Sequence, residues 1–480
     1  MMNGKVSRRQ FLQGLAMAAG GAALAACAAP VAPSAPEGEE DAGAMAEGVT
    51  ISYMTRNTYN FESVANAVVP AFEEKTGHKV EVQLVNDTIE ALPPTLAAGT
   101  APDTVVSFPR AIVPLYAQET FLPLNDFMEE AGLTTDDFFE GDLLASYLMD
   151  RQFGMPIWHG IVFYIGLYRR DLFDDAGVPG PPATDSFESW ADLYETAAKV
   201  MERDASGNVT RWGFDASTQW SGSRILGAIK EQGSHWWDED SQTFNLTSDE
   251  TVNAIKNHLF DPIFEYGISY DEAHDPGLAW HERLTQGVVA MQPWLETVNV
   301  IKSDEMWDLA EVIEPYVNPT MVPGVTPVNI KVGGWHVHMV RTVAEEKRVP
   351  AGELCMIQVV DLDVAAEIQK TVGAGSALRS YRDHPVLDEI AQTDRVTELR
   401  AFQYKIEADF GVDFGGWEWG DLGLAFYPDS RCRGEEGEAR CAEVGSIASG
   451  KVTPEQIAEE WQEEATKARK EFYESIGIEV

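Results

Sequence analysis

Apolar positions set the reading of this chain. Val49, Ile51 and Tyr53 alternate with polar neighbours, the period of a strand that buries one face. From Phe61 to Lys75 the apolar spacing becomes helical, Gly77 follows as a stop, and Val80, Val82 and Leu84 alternate again. A strand, a helix and a second strand in succession predict an α/β fold. Later signals agree. Ser189 is placed to cap a helix, with Asp192 reaching back from its first turn and Trp190, Tyr194 and Ala197 on one face. In Thr453-Pro454-Glu455-Gln456 the threonine caps, the proline takes the first helical position and Gln456 completes a capping box. The stripe Ile457, Trp461, Ala465, Ala468 and Phe472 that follows is a packing face.

The first 26 residues read differently. Lys5, Arg8 and Arg9 precede an apolar stretch from Phe11 to Ala26 that ends at Leu24-Ala25-Ala26-Cys27, the layout of a secretory signal. The stretch is too short and too rich in Ala and Gly for a spanning helix, which needs about 20 strongly apolar residues. Ser7-Arg8-Arg9-Gln10-Phe11-Leu12 resembles a twin-arginine export signal, and Leu24-Ala25-Ala26-Cys27 resembles a lipobox. Those resemblances imply a mature chain that starts at a lipidated Cys27 and is anchored outside the cytoplasmic membrane, periplasmic or at the cell surface. Residues 27–47, rich in Ala, Pro, Gly and Glu, form the expected flexible tether.

Charge narrows the partners. With 35 Lys and Arg against 78 Asp and Glu, the formal net charge is −43, a surface that repels nucleic-acid phosphates and anionic headgroups. At 480 residues and 44% hydrophobic, the chain can build two cored domains. Cys355 lies in the apolar run Leu354-Cys355-Met356-Ile357 and reads as a small buried hydrophobe. Cys432 and Cys441 bracket a charged, Gly-rich loop. They are expected to bridge, a closure worth roughly 2–3 kcal/mol in the chain-entropy model, with two separate surface thiols as the alternative.

The order of segments after Val49 resembles the extracellular solute-binding proteins of carbohydrate-importing ABC systems, the maltose-binding-protein-like group. The pieces are Pro102-Asp103 and Tyr116-Ala117; Gly154-Met155-Pro156 leading to Tyr168-Arg169-Arg170-Asp171-Leu172-Phe173; Ser189-Trp190-Ala191-Asp192-Leu193; Ala290-Met291-Gln292-Pro293-Trp294; Gly333-Gly334-Trp335; Ala377-Leu378-Arg379-Ser380-Tyr381; and Gly450-Lys451. Arg169-Arg170 stands where that family usually has Asn-Lys, and the stretch from Asp409 to Gly445 is longer than its pattern. The resemblance implies two α/β lobes, each discontinuous, with hinge strands crossing near Trp158–Tyr164, Gly287–Trp294 and Val337–Val340. Lobe one is expected over 48–157 plus 288–340, and lobe two over 158–287 plus 341–480. It also implies a monomer that hands its solute to ABC permease subunits served by a separate ATPase, with no enzymatic activity and no cofactor.

A sugar offers apolar C–H faces and a rim of hydroxyls, so a site for it needs aromatic rings beside groups that satisfy hydroxyls. Arg56 and Asn57 follow the first strand, and Phe108 and Arg110 follow the run Thr104-Val105-Val106; loops after strands are where α/β sheets bind ligands. By position in the resemblance, Trp158 and His159, Trp294 and Glu296, Trp335, and Trp417 and Trp419 are the further candidates, with Arg379 as either a ligand contact or a structural ion pair. Two other readings are weighed. Glu418 with Asp421, or Asp271 with Glu272, could serve a secreted hydrolase as paired carboxylates, yet 78 acidic residues produce such pairs by chance. The same fold could also take a non-sugar solute such as a peptide, a polyol phosphate or a polyamine. His336 and His338 share one strand face, but no further metal ligand accompanies them, and no metal site is expected.

Overall fold

The computed structural model describes residues 48–108, 118–143, 146–148, 151–159, 164–182, 187–216, 221–238, 243–270, 280–294, 311–329, 335–372, 375–382 and 452–475, with a few isolated positions between them. The chain opens as its periodicity predicts, with β1 (Thr50–Arg56), α1 (Tyr59–Thr76) and β2 (Lys79–Val85), and β2 pairs with β1 in parallel. Gly77 ends α1 at φ 73°, a left-handed conformation that glycine adopts without a side-chain penalty, and its N–H closes on the carbonyl of Glu73. Next come α2 (Thr88–Ala98), capped by the Asp87 carboxylate, then β3 (Thr104–Ser107), β4 (Phe121–Leu122) and β5 (Gly154–Pro156).

A second sheet follows: β6 (Ile165–Arg169), α3 (Trp190–Lys199), β7 (Glu202–Arg203), β8 (Val209–Phe214), α4 (Ser221–Glu231), α5 (Asp249–Ile255), β9 (Val289–Gln292) and β10 (Ile313–Val317). The Ser189 hydroxyl accepts from the Asp192 N–H at 3.2 Å, so the cap read from sequence forms. The chain then returns to the first sheet through β11 (His336–Val340), α6 (Glu345–Val360) and α7 (Leu362–Val372), and α8 (Pro454–Ser475) ends the described chain. Thr453 and Gln456 make the reciprocal bonds of the capping box.

Two sheets therefore define two lobes. The first has the order β2-β1-β3-β11-β4, with β5 also on β11; the second has the order β10-β6-β9-β8-β7. The expected division needs correction on both sides of residue 340. Residues 289–317 carry β9 and β10, which belong to the second sheet and not to lobe one. Residues 345–372 lie on the first sheet, where Leu354, Cys355, Met356, Ile357 and Ile368 pack against Tyr53, Val64, Val106 and Val337. A helix that follows a strand directly covers that strand's own sheet, because the apolar face beside it must be buried. Gly352 lets α6 approach Phe127 so closely that a methyl group there would meet the ring. Gly287–Trp294 and Val337–Val340 are accordingly not crossings: the first leads into and out of a central strand of lobe two, and the second lies in a central strand of lobe one.

The chain passes between lobes from Trp158 to Tyr164, again between Asn318 and Trp335, and a third time between Leu378 in the lobe-one core and Ile457 in the lobe-two core. At the lobe-one end the Ile157 N–H donates to the Trp335 carbonyl at 2.9 Å; at the lobe-two end the Asn318 N–H donates to the Tyr164 carbonyl at 2.9 Å. Helix α8 touches both lobes. Ile457, Trp461 and Ala465 enter the lobe-two core beside Ile225 and Trp236, while Tyr473 joins Met54, Val105 and Phe121 of lobe one. Ala468 and Phe472, named in the same stripe, have side chains outside the described residues.

Candidate functional site

Strand direction fixes where a ligand can bind. In lobe one, β1, β2 and β3 run parallel and β5 runs with them, since β3 and β5 are both antiparallel to β11. Their carboxyl ends and the amino end of β11 form one edge. In lobe two the carboxyl ends of β8, β9 and β10 share an edge with the amino end of β6. The first two crossings leave and enter at these edges, so the two edges lie on either side of the hinge, the usual place for ligands of open α/β sheets.

On the lobe-one edge stands a group of rings. Phe61, in the first turn of α1, lies 5.3 Å from Trp158 and 4.6 Å from Trp335, ring centroid to centroid, and Phe108 lies 5.8 Å from Trp335. The Arg56 guanidinium sits 5.2 Å above the Trp335 ring and 6.0 Å from Phe61, and its Nε donates to the Asn86 carbonyl at 3.1 Å. Asn57 donates through its amide to the Asn86 side chain at 2.7 Å. Trp335, Phe108 and Arg56 remain half-buried, whereas Trp158 is buried. The structure thus brings together Arg56, Asn57, Phe108, Trp158 and Trp335, and adds Phe61 and Asn86, which the sequence reading did not single out. Phe61 reads as an ordinary apolar helix position; only its place in the first turn after a strand could have marked it.

His159 serves this edge from beneath. Its Nδ1 lies 2.6 Å from the fully buried Asp142 carboxylate, its ring lies 4.2 Å from Phe139, and its backbone N–H donates to the Gly375 carbonyl. These contacts tie the start of the first crossing to lobe one. Arg379 is structural too: its Nε donates to the Phe138 carbonyl at 2.6 Å, its guanidinium covers Phe139, and it lies in lobe one. His336 and His338 stack face to face at 6.1 Å inside the lobe-one core. Ser146 hydrogen-bonds His336, and the Phe153 carbonyl pairs with His338 Nδ1 at 3.0 Å. Burial pushes the two imidazoles down to about 3 and about 4, so both are neutral packing groups near neutral pH.

The lobe-two edge is more polar. Asp215, just past β8, accepts from the Tyr270 hydroxyl at 2.7 Å and lies 3.6 Å from Arg283. Trp294, just past β9, is fully buried, with the Arg224 guanidinium 5.5 Å from its ring. Beside them a cavity of about 20 Å³ is lined by Tyr164, Trp190, Arg224, Glu231, His258 and Asn318, among others. Arg110, Glu296, Trp417, Trp419 and the cysteines 27, 432 and 441 lie outside the described residues. Cys355 is a free thiol buried in the lobe-one core, where burial raises its pKa.

Two discontinuous α/β lobes with a candidate site at facing sheet edges define the two-lobed periplasmic-binding-protein class. Residues 57–273 match the model of the family described as bacterial extracellular solute-binding protein. Solved structures of the same fold include the Listeria monocytogenes ABC substrate-binding protein Lmo0181 in complex with cycloalternan. It is 17% identical, covers 90% of this chain and 100% of its own, and superposes with a TM-score of 0.62. UgpB from Mycobacterium tuberculosis, in complex with glycerophosphocholine, is 14% identical with coverages of 87% and 98% and a TM-score of 0.66. An ABC transporter solute-binding protein from Thermotoga lettingae, bound with α-D-tagatose, is 17% identical with coverages of 88% and 100% and a TM-score of 0.63.

Proposed function

We propose that this protein captures a carbohydrate-like solute between its lobes and delivers it to the membrane permease of an ABC importer, acting as a receptor and not as an enzyme. The observation that carries this reading is the ring group Phe61, Phe108, Trp158 and Trp335, with Arg56 laid across it, at the carboxyl ends of the lobe-one strands. Flat aromatic faces take the apolar C–H surface of a sugar ring, and the polar lobe-two edge opposite meets its hydroxyls. The solutes named for structures of the same fold, cycloalternan and α-D-tagatose among them, support that class. Closure about the crossings is driven only by the difference in the solute's affinity for closed and open forms. Lipidation of Cys27 with the tether behind it would keep the receptor beside its permease.

Thermal-shift measurements on the mature protein test the assignment against neutral sugars, polyols, glycerophosphodiesters, peptides and polyamines. A solute at a hundred times its Kd adds about 2.7 kcal/mol of stability, so a sugar or polyol should raise the Tm clearly. A shift caused by peptides or polyamines alone would sink the carbohydrate reading.

A further inference from the structure

The cavity at the lobe-two edge draws its walls from five distant segments, two of them represented by Tyr164 just before β6 and Trp190 at the start of α3. Arg224 and Glu231 come from α4, His258 from residues 256–265, and Asn318 from the start of the second crossing. Residues 256–265 (Lys256–Glu265) form a π-helix that continues α5 and contains Pro262. Such wide-turned segments are rare and concentrate at functional sites, because the widened turn re-aims side chains. His258 is 2% exposed, and its Nδ1 has no hydrogen-bond partner among the described residues. Burial holds its pKa well below the ordinary range, with the Arg224 charge acting in the same direction, so the ring is neutral. A buried polar nitrogen without a partner carries an uncompensated desolvation penalty, which a ligand group can relieve.

The remaining walls set the chemistry of that group. Glu231 accepts from the Met321 N–H at 2.8 Å and the Val328 N–H at 3.2 Å, which pins the 319–329 loop over the cavity. One guanidinium, a Glu231 carboxyl that burial raises to about 7, a neutral imidazole and an amide present donors and acceptors together, which suits a hydroxyl. A space of about 20 Å³ exceeds the roughly 10–15 Å³ that a single water needs, so it holds one oxygen-sized group and not a ring.

We infer that this cavity receives a single hydroxyl or hydroxymethyl group of the captured neutral solute, and that His258 is the specificity-determining residue that reads it. The inference rests on the capture reading above and adds a selectivity: solutes lacking that one oxygen are rejected. Sites built to hydrogen-bond a hydroxyl discriminate strongly against analogues without it, because buried polar groups are then left unsatisfied.

Calorimetric titration of the full-length mature protein with maltose, cellobiose, D-glucose, D-galactose and ribitol first identifies a neutral binder. Its monodeoxy analogues are then titrated one by one. One of them should bind at least about 100-fold more weakly to the wild type. In His258→Phe the parent and that analogue should bind alike. Val328→Phe, which fills the cavity from its loop wall, should lower affinity for the parent by a similar factor and provides a second test if His258→Phe does not fold. Every deoxy analogue binding within threefold of its parent, or Val328→Phe leaving affinity unchanged, would overturn the inference while leaving solute capture standing. Failure of every neutral solute to bind the wild type would overturn both.

Discussion

The two lobes solve the same problem with opposite materials. Each places its site at the carboxyl ends of its strands, and each has a tryptophan there with an arginine over the ring: Trp335 under Arg56 in lobe one, Trp294 under Arg224 in lobe two. Trp335 and Arg56 stay half-open to the cleft, while Trp294 and Arg224 are both nearly sealed, at 0% and 4% exposure. The first pair therefore forms a surface, and the second forms a foundation for the polar cavity beside it. The difference shows that residue type and position at a strand end do not by themselves tell a ligand contact from its support. What separates them is the area left uncovered once neighbouring elements have packed.

The largest expected effect concerns the interiors. Lobe one buries His336 and His338 and lobe two buries His258, all three held below the ordinary histidine range chiefly by burial. The unfolded chain takes up protons as pH falls through about 6.5, while the folded chain keeps these rings neutral until about 4 and about 3 at the lobe-one pair. Stability is therefore fully present above pH 6.5 and is lost on acidification. The lobe-one pair alone should remove roughly 5 kcal/mol between pH 7 and 4.5. Denaturant titrations across that range, with hydrogen exchange resolving the lobes, should show lobe one losing protection faster; equal losses would erase this part of the contrast.

Next in size is Trp294→Ala. Removing a fully buried indole should cost about 3–5 kcal/mol in urea unfolding, as expected for a support. Smallest in stability, and most telling, is Trp335→Ala. It should lower the unfolding free energy by less than about 2 kcal/mol but weaken sugar binding about 30-fold, near 2 kcal/mol of affinity. If the two substitutions gave the same profile of stability and affinity, the distinction between surface and foundation would fail.

The sequence made parts of this legible for physical reasons. The opening strand, helix and strand are read directly because each buries one face against one neighbour, which imprints a clean period on Val49–Leu84. Arg56, Asn57 and Phe108 were found because strand ends are where α/β sheets bind. The lobe boundaries were misread beyond residue 287. Helix α6 has ten successive buried positions, from Pro350 to Val359, so it shows no face that says which sheet it covers. Strand β11 carries two histidines among five buried residues, and the crossing expected over Val337–Val340 rests on the family resemblance and not on these residues. Of the cavity residues, Arg224, Glu231, His258 and Asn318 escape the sequence reading, since they share no local motif.

The order of strands in the first sheet has a consequence for the birth of the molecule. Strand β11, which lies between β3 and β4, emerges more than two hundred residues after β3, and the whole lobe-two sheet is made in between. At the usual 5–20 residues per second, the first half of lobe one waits roughly 10–45 s for its central strand. During that interval the β3 edge that will pair with β11 has no partner, a state prone to wrong association.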